Sequence, residues 1–240
     1  MQMQTDDSPA SRVKPFNWDW LDWADIRLWL AEQAPRVVAT IGYGRDGNAE
    51  RLEDARVLVT ILRGLGIRKL IDIRAQPSGA RVREPFRQGK IKEALAAAGG
   101  DIEYVWKGND LGGTNRYRGR AVTPEGLRFV DELARGESVM LLCACSQRHQ
   151  CHACRIIATD LLDRERRAEL GLPPDKPAFF HFNLDGSFVD GDEMLAASDE
   201  HRYQIAHALR CLPEFRVRAE YWRDVYTHGK PLKKHLGYPG

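Results

Sequence analysis

Short apolar runs alternate with stretches of helical spacing through the middle of the chain. The apolar runs have the composition of buried strands and end at glycine, proline or polar residues: 37–41, 69–74, 102–106, 139–143 and 179–183. Between them, apolar residues recur every three or four positions, as on one face of a helix: 49–65, 88–98, 124–135 and 156–162. Strands that alternate with helices are typical of a parallel sheet covered on both faces. The pattern therefore predicts an α/β fold, with a mostly parallel sheet flanked by helices.

The two ends of the chain differ from this middle part. The first 35 residues begin with a polar, aperiodic stretch typical of disorder and continue into a Trp-rich segment that predicts a short amphipathic helix. A docking element for a partner or a second copy is the alternative for that segment. Residues 199–225 have helical spacing, and a basic tail follows them. We therefore divide the chain into a disordered start with the Trp-rich helix, 1–35, an α/β domain, 36–190, and a helical extension with the basic tail, 191–240.

Composition and charge narrow the class of protein. The chain has 240 residues, 43% of them hydrophobic, which is enough for a sizeable core, and its net charge of +2 does not by itself indicate nucleic acid. No apolar run approaches the roughly 20 residues of a membrane span, and the polar N-terminus lacks the apolar stretch of a signal peptide. We expect a cytoplasmic protein with reduced thiols and no membrane partner.

Four of the five cysteines lie in one segment, VMLLCACSQRHQCHACR, over residues 139–155. The segment contains Cys143, Cys145, Cys151 and Cys154, with His149 and His152 among them. It is expected to run from a strand through a short loop to the N-terminus of a helix. Backbone N–H groups and the helix dipole at such a point favour a thiolate and also bind anions.

Polar, Gly-rich or reactive residues follow each of the first four predicted strands. In open parallel sheets, ligands bind outside the carboxyl ends of the strands, so these residues are expected to share one site. The candidate ligand-binding residues are Gly42, Tyr43, Arg74, Gly112, Gly113 and Arg116. The candidate catalytic residues are Asp72, Cys143, Cys151 and His152. For Asp72, a general base and a structural role, as the cap of a turn or the partner of Arg74, are equal alternatives. His181 is interpreted as a hydrogen-bonded core histidine.

An ordered set of short motifs over about residues 36–190 resembles the DUF488 family of uncharacterised α/β proteins. The matching motifs are Thr40-Ile41-Gly42-Tyr43, Leu70-Ile71-Asp72-Ile73-Arg74 with Pro77, Phe86, Tyr104, Leu111-Gly112-Gly113, Leu141-Leu142-Cys143, Cys151-His152, and His181 with Asp185-Gly186. The resemblance implies a compact α/β domain and a site, and it does not imply a reaction. This chain departs from the family pattern at Cys145, Ala153 and Cys154, where an acidic residue, an arginine and a residue other than cysteine are usual. The two additional cysteines favour a metal site in this chain.

Three chemistries fit the cysteine segment. The first is a zinc site formed by Cys143, Cys145, Cys151 and Cys154, with His149 or His152 as substitutes. In the alternative to this site, some of these cysteines are small residues of the core.

The second chemistry is a nucleophilic or redox thiol at Cys151, with Cys143 as its resolving partner. The third is an anion site in which the cysteines only shape a pocket. Asp72, Arg74, His152 and the glycine turn would then bind phosphate or carboxylate.

Two functions follow from these chemistries. The first is an enzyme that acts on a phosphate-bearing small molecule or nucleic acid through the Cys, His, Asp and Arg residues at the sheet edge. The second is a non-catalytic nucleic-acid-binding module, in which the cysteines hold structural zinc and the arginines of residues 114–120 contact phosphates. Zinc is the candidate cofactor. The expected partners are an anionic small molecule or nucleic acid, together with an oligomer contact through the Trp-rich segment.

Overall fold

The computed structural model describes residues 37–44, 51–112, 122–145, 151–184 and 188–191. Its strands are β1 (Val37–Gly42), β2 (Lys69–Asp72), β3 (Glu103–Trp106), β4 (Val139–Cys143), β5 (Ala178–Phe182) and β6 (Phe188–Asp190). They form one sheet in the order β3-β2-β4-β1-β5-β6. Every pairing from β3 to β5 is parallel, whereas β6 pairs with β5 in the antiparallel direction. The predicted α/β fold with a mostly parallel sheet is confirmed.

Helices connect the parallel strands, as the pattern predicted. They are α1 (Ala55–Gly64), α2 (Gln88–Ala97), α3 (Gly108–Leu111), α4 (Pro124–Gly136), α5 (Ala158–Leu162) and α6 (Arg164–Glu169). A 3-10 turn, Glu84–Phe86, precedes α2, and a π-helical turn, Ala153–Ile157, leads directly into α5. The predicted cap of α4 is present, because the Thr123 side chain accepts a hydrogen bond from the backbone N–H of Gly126.

Each face of the sheet covers its own apolar cluster. Successive side chains of a strand point to opposite faces, so Val37 and Ala39 join one cluster while Val38 joins the other. Residues of α1 and α2 pack in the first cluster, and residues of α4, the π-helical turn and α5 pack in the second. Burial on both faces explains why the central strands are apolar throughout.

The register of the strands brings their carboxyl ends to one edge. Asp72, the last residue of β2, is paired with Leu142, and Gly42, the last residue of β1, is paired with Cys143. Hydrogen bonds continue beyond the strands, since the backbone N–H of Tyr43 donates to the Cys143 carbonyl at 3.3 Å. The ends of these three strands therefore lie side by side, as the site prediction requires.

Two groups of predictions fall outside the described residues. The Trp-rich helix and nearly all of the C-terminal extension lie there, and the three-part division of the chain stays a prediction. Among the helices of the described ranges, none is long and apolar enough to cross a membrane.

Candidate metal centre

Three cysteine sulfurs meet at the carboxyl edge of the sheet. The Sγ atoms of Cys143, Cys145 and Cys151 all lie within 4.8 Å of one another. Cys143 ends β4, Cys145 follows two residues later, and Cys151 directly precedes the helical turn. Cys143 and Cys151 are buried, Cys145 is partly buried, and none of the three forms a disulfide. The strand end and the start of the next helix thus supply one compact set of soft donor atoms.

A close backbone approach holds the middle cysteine in place. A Cβ atom at Gly42 would lie 1.2 Å from the carbonyl oxygen of Cys145. Only glycine leaves room for the chain after β4 to lie against the end of β1. Gly42, a candidate ligand-binding residue, therefore has a packing reason for its identity.

His152 faces the same cluster and has a fixed orientation. Its Nε2 atom lies 2.9 Å from the carbonyl oxygen of Leu111, and its Nδ1 atom lies 3.6 Å from the Sγ atom of Cys143. A carbonyl oxygen can only accept, so Nε2 carries a proton and donates it to Leu111. Nδ1 then faces the sulfur either as an acceptor or, in the imidazolium form, as a second donor.

Charge in the cluster is concentrated on one thiol. Hydrogen bonds from Cys145 and Cys151, together with the charge of His152, hold the pKa of Cys143 well below its ordinary value. Those same sulfur contacts, chiefly with Cys143, hold the pKa of Cys151 well above it. Burial lowers the pKa of His152, but the neighbouring Cys143 outweighs burial and the net shift is upward. The arrangement therefore favours a thiolate on Cys143, whose negative charge Cys145, Cys151 and His152 stabilise.

Cys154 lies beside this group and is not part of it. The sulfurs that come within 4.8 Å of one another are those of the other three cysteines, whereas Cys154 interacts with Cys151 only from beside the group. Like Cys143 and Cys151, it is buried in the second apolar cluster. Burial raises the pKa of Cys154, but Cys151 and His181 lower it to about 6. His181 is buried with its Nδ1 atom 3.3 Å from the Thr40 hydroxyl, while its Nε2 atom meets no hydrogen-bond partner among the described residues. The four-thiolate site expected from the sequence stays a prediction.

Asp72 and Arg74 are brought together as a buried ion pair. Arg74 donates from Nε to one carboxylate oxygen of Asp72 at 2.8 Å and from Nη2 to the other. Its Nη1 atom donates to the carbonyl oxygen of Phe86 at 2.7 Å, and Tyr104 donates its hydroxyl proton to Asp72. Of the two alternatives for Asp72, the geometry supports the partner of Arg74. The sequence predicted that β2 ends at residue 74, whereas it ends at residue 72. The backbone N–H of Arg74 donates to the Asp72 side chain, and this bond explains the earlier end.

Tyr43 and Gly112 are the other candidate ligand-binding residues near this pair that the structure describes. Tyr43 is buried and stacks on Phe86, with ring centroids 4.6 Å apart. Gly112 closes the turn after α3, and a Cβ atom there would lie 2.3 Å from the Gly108 carbonyl oxygen. Gly113, Arg116 and His149 lie outside the described residues.

Two partners in this region were missed from the sequence as site residues. The Leu111 carbonyl that orients His152 leaves no sequence signal, because every residue has a backbone carbonyl. Tyr104 belongs to one of the family motifs, but its position in the short apolar run of β3 gives no sign that its hydroxyl bonds to Asp72. That bond became visible only from the register in which Tyr104 pairs with Leu70.

Comparison with known proteins found a match to one family model, over less than half of the chain. The family described as "Domain of unknown function DUF488" matches residues 54–159. Searches of curated proteins and of solved structures returned no match. The matched region contains the buried ion pair and all four clustered cysteines. Residues 54–159 thus carry the match to the DUF488 family that the ordered motifs of the sequence predicted.

Proposed function

We propose that this protein binds a transition-metal ion of the zinc type through Cys143, Cys145 and Cys151. The observation that carries the proposal is the approach of three sulfur atoms to within 4.8 Å of one another. A tetrahedral ion with Zn–S bonds of about 2.3 Å holds its sulfurs about 3.8 Å apart, which is within reach by small side-chain rotations.

The surroundings of the sulfurs support a metal more than a plain apolar core. Single cysteines are often buried as small hydrophobic residues, but that tendency does not bring three of them together. Thiolate ligands select zinc and other soft or borderline metals over magnesium and calcium. Residues 146–150 separate Cys143 and Cys145 from Cys151 along the chain, so a bound ion would join the end of β4 to the start of the π-helical turn.

This role makes the metal a structural element of the sheet edge. Residues 146–150 connect the ligands along the chain, and the ion would fix both ends of that segment. Structural thiolate sites contribute free energy of folding directly, because the site does not exist in the unfolded chain. A nucleic-acid or phosphate-bearing partner at this edge stays a prediction from the sequence.

A thiol enzyme acting on a phosphate-bearing small molecule or nucleic acid is the second candidate. It is favoured by the contact of 3.6 Å between His152 Nδ1 and Cys143 Sγ and by the orienting bond from His152 to Leu111. A nucleophile, its basic partner and a third group that orients the partner are the parts such catalysis needs. In this candidate the nucleophile is Cys143, which its contact with His152 favours, whereas the sequence favoured Cys151.

Differential alkylation separates the two candidates. The intact chain is exposed to iodoacetamide with zinc present and again after a chelator has removed it, and the labelled cysteines are mapped by mass spectrometry. Metal binding predicts that Cys143, Cys145 and Cys151 are protected together and become labelled together after chelation. Rapid labelling of Cys143 alone, unaffected by zinc or chelator, would reject the metal site and support the thiol enzyme.

A further inference from the structure

We infer that His152 is the fourth ligand and that the ion is a zinc-type dication in a closed shell of three sulfurs and one nitrogen. The inference rests on the proposed metal site and names the ligand that completes it. It also assigns the site to the structural class, because a closed shell leaves no position for a substrate.

The first support is the distance between the two donor atoms. Tetrahedral zinc with a Zn–S bond of about 2.3 Å and a Zn–N bond of about 2.0–2.1 Å separates sulfur from nitrogen by about 3.6 Å. The observed distance from Cys143 Sγ to His152 Nδ1 is 3.6 Å. The imidazole therefore stands at the distance from the Cys143 sulfur that a shared ion requires, and a small ring movement would bring it to the other two sulfurs.

The second support is the orientation of the ring. A ligating histidine usually donates its other N–H to a carboxylate, a backbone carbonyl or water, which fixes the tautomer. His152 Nε2 does this to the Leu111 carbonyl at 2.9 Å. The neutral ring consequently presents its Nδ1 lone pair to the sulfurs, which is the form that binds a metal.

The third support is the position of the competing donors in the described part of the chain. Cys154 and His152 both lie outside the set of donor atoms within 4.8 Å of one another, but the Cys154 side chain interacts with His181. His181 lies on β5, which β1 separates from β4, and its Nδ1 atom faces Thr40. The carboxylate of Asp72 is bonded to Arg74 and Tyr104.

Two chemical consequences follow. A mixed set of imidazole and thiolates suits zinc better than Cu(I), for which softer all-sulfur sets are preferred, and it excludes magnesium. The metal would also be tied to the turn at α3, because the same imidazole bonds Leu111. Occupancy of the site would then stabilise the chain at two points of the sheet edge, after β4 and after β3.

Cobalt binding to the intact chain tests the ligand. Co²⁺ is titrated into metal-free protein, and the visible and sulfur-to-cobalt absorption bands are followed. We expect wild type to bind one Co²⁺ per chain with a tetrahedral spectrum, His152→Ala to bind at least about tenfold more weakly, and the matched variant Cys154→Ser to bind as wild type does. Added imidazole is expected to restore part of the affinity of His152→Gly.

Other outcomes separate the two proposals. Normal cobalt affinity in His152→Ala together with a weakened Cys154→Ser would overturn the assignment of His152 and leave the metal site in place. Absence of cobalt binding in wild type would overturn the metal site itself. X-ray absorption at the zinc edge of wild-type protein needs no variant, so it decides the matter even where His152→Ala does not fold. Three sulfurs and one nitrogen support the inference, and four sulfurs contradict it.

Discussion

Arg74 is bound by Asp72 through both carboxylate oxygens, inside the protein. Asp72 is fully buried and Arg74 is 6% exposed. Burial lowers the pKa of Arg74, but its hydrogen bonds to Asp72 and the charge of that carboxylate outweigh burial, so the guanidinium stays charged. With further bonds to Phe86 and from Tyr104, these side chains form a closed polar network. The pair therefore supports the sheet edge on which the cysteines lie.

Removal of one partner of this pair is expected to destabilise the fold strongly. Arg74→Met leaves the Asp72 carboxylate buried without its counter-charge, which typically costs about 3–5 kcal/mol of unfolding free energy. Urea unfolding followed by circular dichroism measures the loss. The matched control is Lys90→Met, because Lys90 pairs with Glu93 on the surface, and no measurable change is expected there. An Arg74→Met protein as stable as wild type would show that the pair does not support the fold.

The hydroxyl of Tyr104 contributes to the same network. Tyr104→Phe removes a donor from a buried carboxylate and is expected to cost about 1–3 kcal/mol of unfolding free energy. Combining Tyr104→Phe with Asp72→Ala should cost less than the sum of the two single changes, since both remove the same bond. Strict additivity in urea unfolding would contradict the contact between these two side chains.

Gly42 is required by the position of Cys145. In Gly42→Ala the new Cβ atom would meet the Cys145 carbonyl oxygen at 1.2 Å, so the loop after β4 has to move. We expect a loss of at least about 1–3 kcal/mol of stability and weaker zinc binding. Gly89→Ala is the control, because a Cβ atom there meets nothing within 4 Å, and it should be neutral or slightly stabilising. Equal zinc affinity in Gly42→Ala and wild type would disconnect this packing from the metal site.

Much of the fold was predictable because it depends on local patterns. The apolar run at 37–41 and the cap at Thr123 specify elements whose ends the structure reproduces within a few residues. The helix after the cysteines begins earlier than the apolar spacing indicated, since the π-helical turn starts at Ala153. Apolar residues three or four positions apart predict a helix, but nothing in the sequence indicates that its first turn is π-helical.

The site was predictable as a group and not in its internal pairing. Spacing along the chain brought Cys143, Cys145 and Cys151 into one segment, and the sheet topology predicted the edge on which they meet. The partner of His152 could not be read from the sequence, because the helical turn that carries His152 decides which sulfur it faces. Arg74 was expected to bind a ligand or a carboxylate, and only the positions of the side chain and of the turn that carries Phe86 show that Asp72 and Phe86 occupy its donors.

Metal removal is expected to lower the thermal stability of the protein. An ion that binds only the folded chain stabilises it by about 4.1 kcal/mol when its concentration is 1,000 times the dissociation constant. Addition of a chelator should therefore reduce the melting temperature of wild-type protein. The variant Cys145→Ser lacks one ligand, so its lower melting temperature should respond little to the chelator. A chelator effect of equal size in both proteins would argue against binding at this site.

The zinc content of the purified intact chain tests the central claim most directly. The protein is produced with zinc in the medium, purified without chelators and analysed for metal and protein together with the double variant Cys143→Ser/Cys145→Ser. The three-sulfur site predicts one zinc ion per chain in wild type and almost none in the double variant. Wild-type protein without bound metal, or a double variant that retains the same amount, would contradict the account.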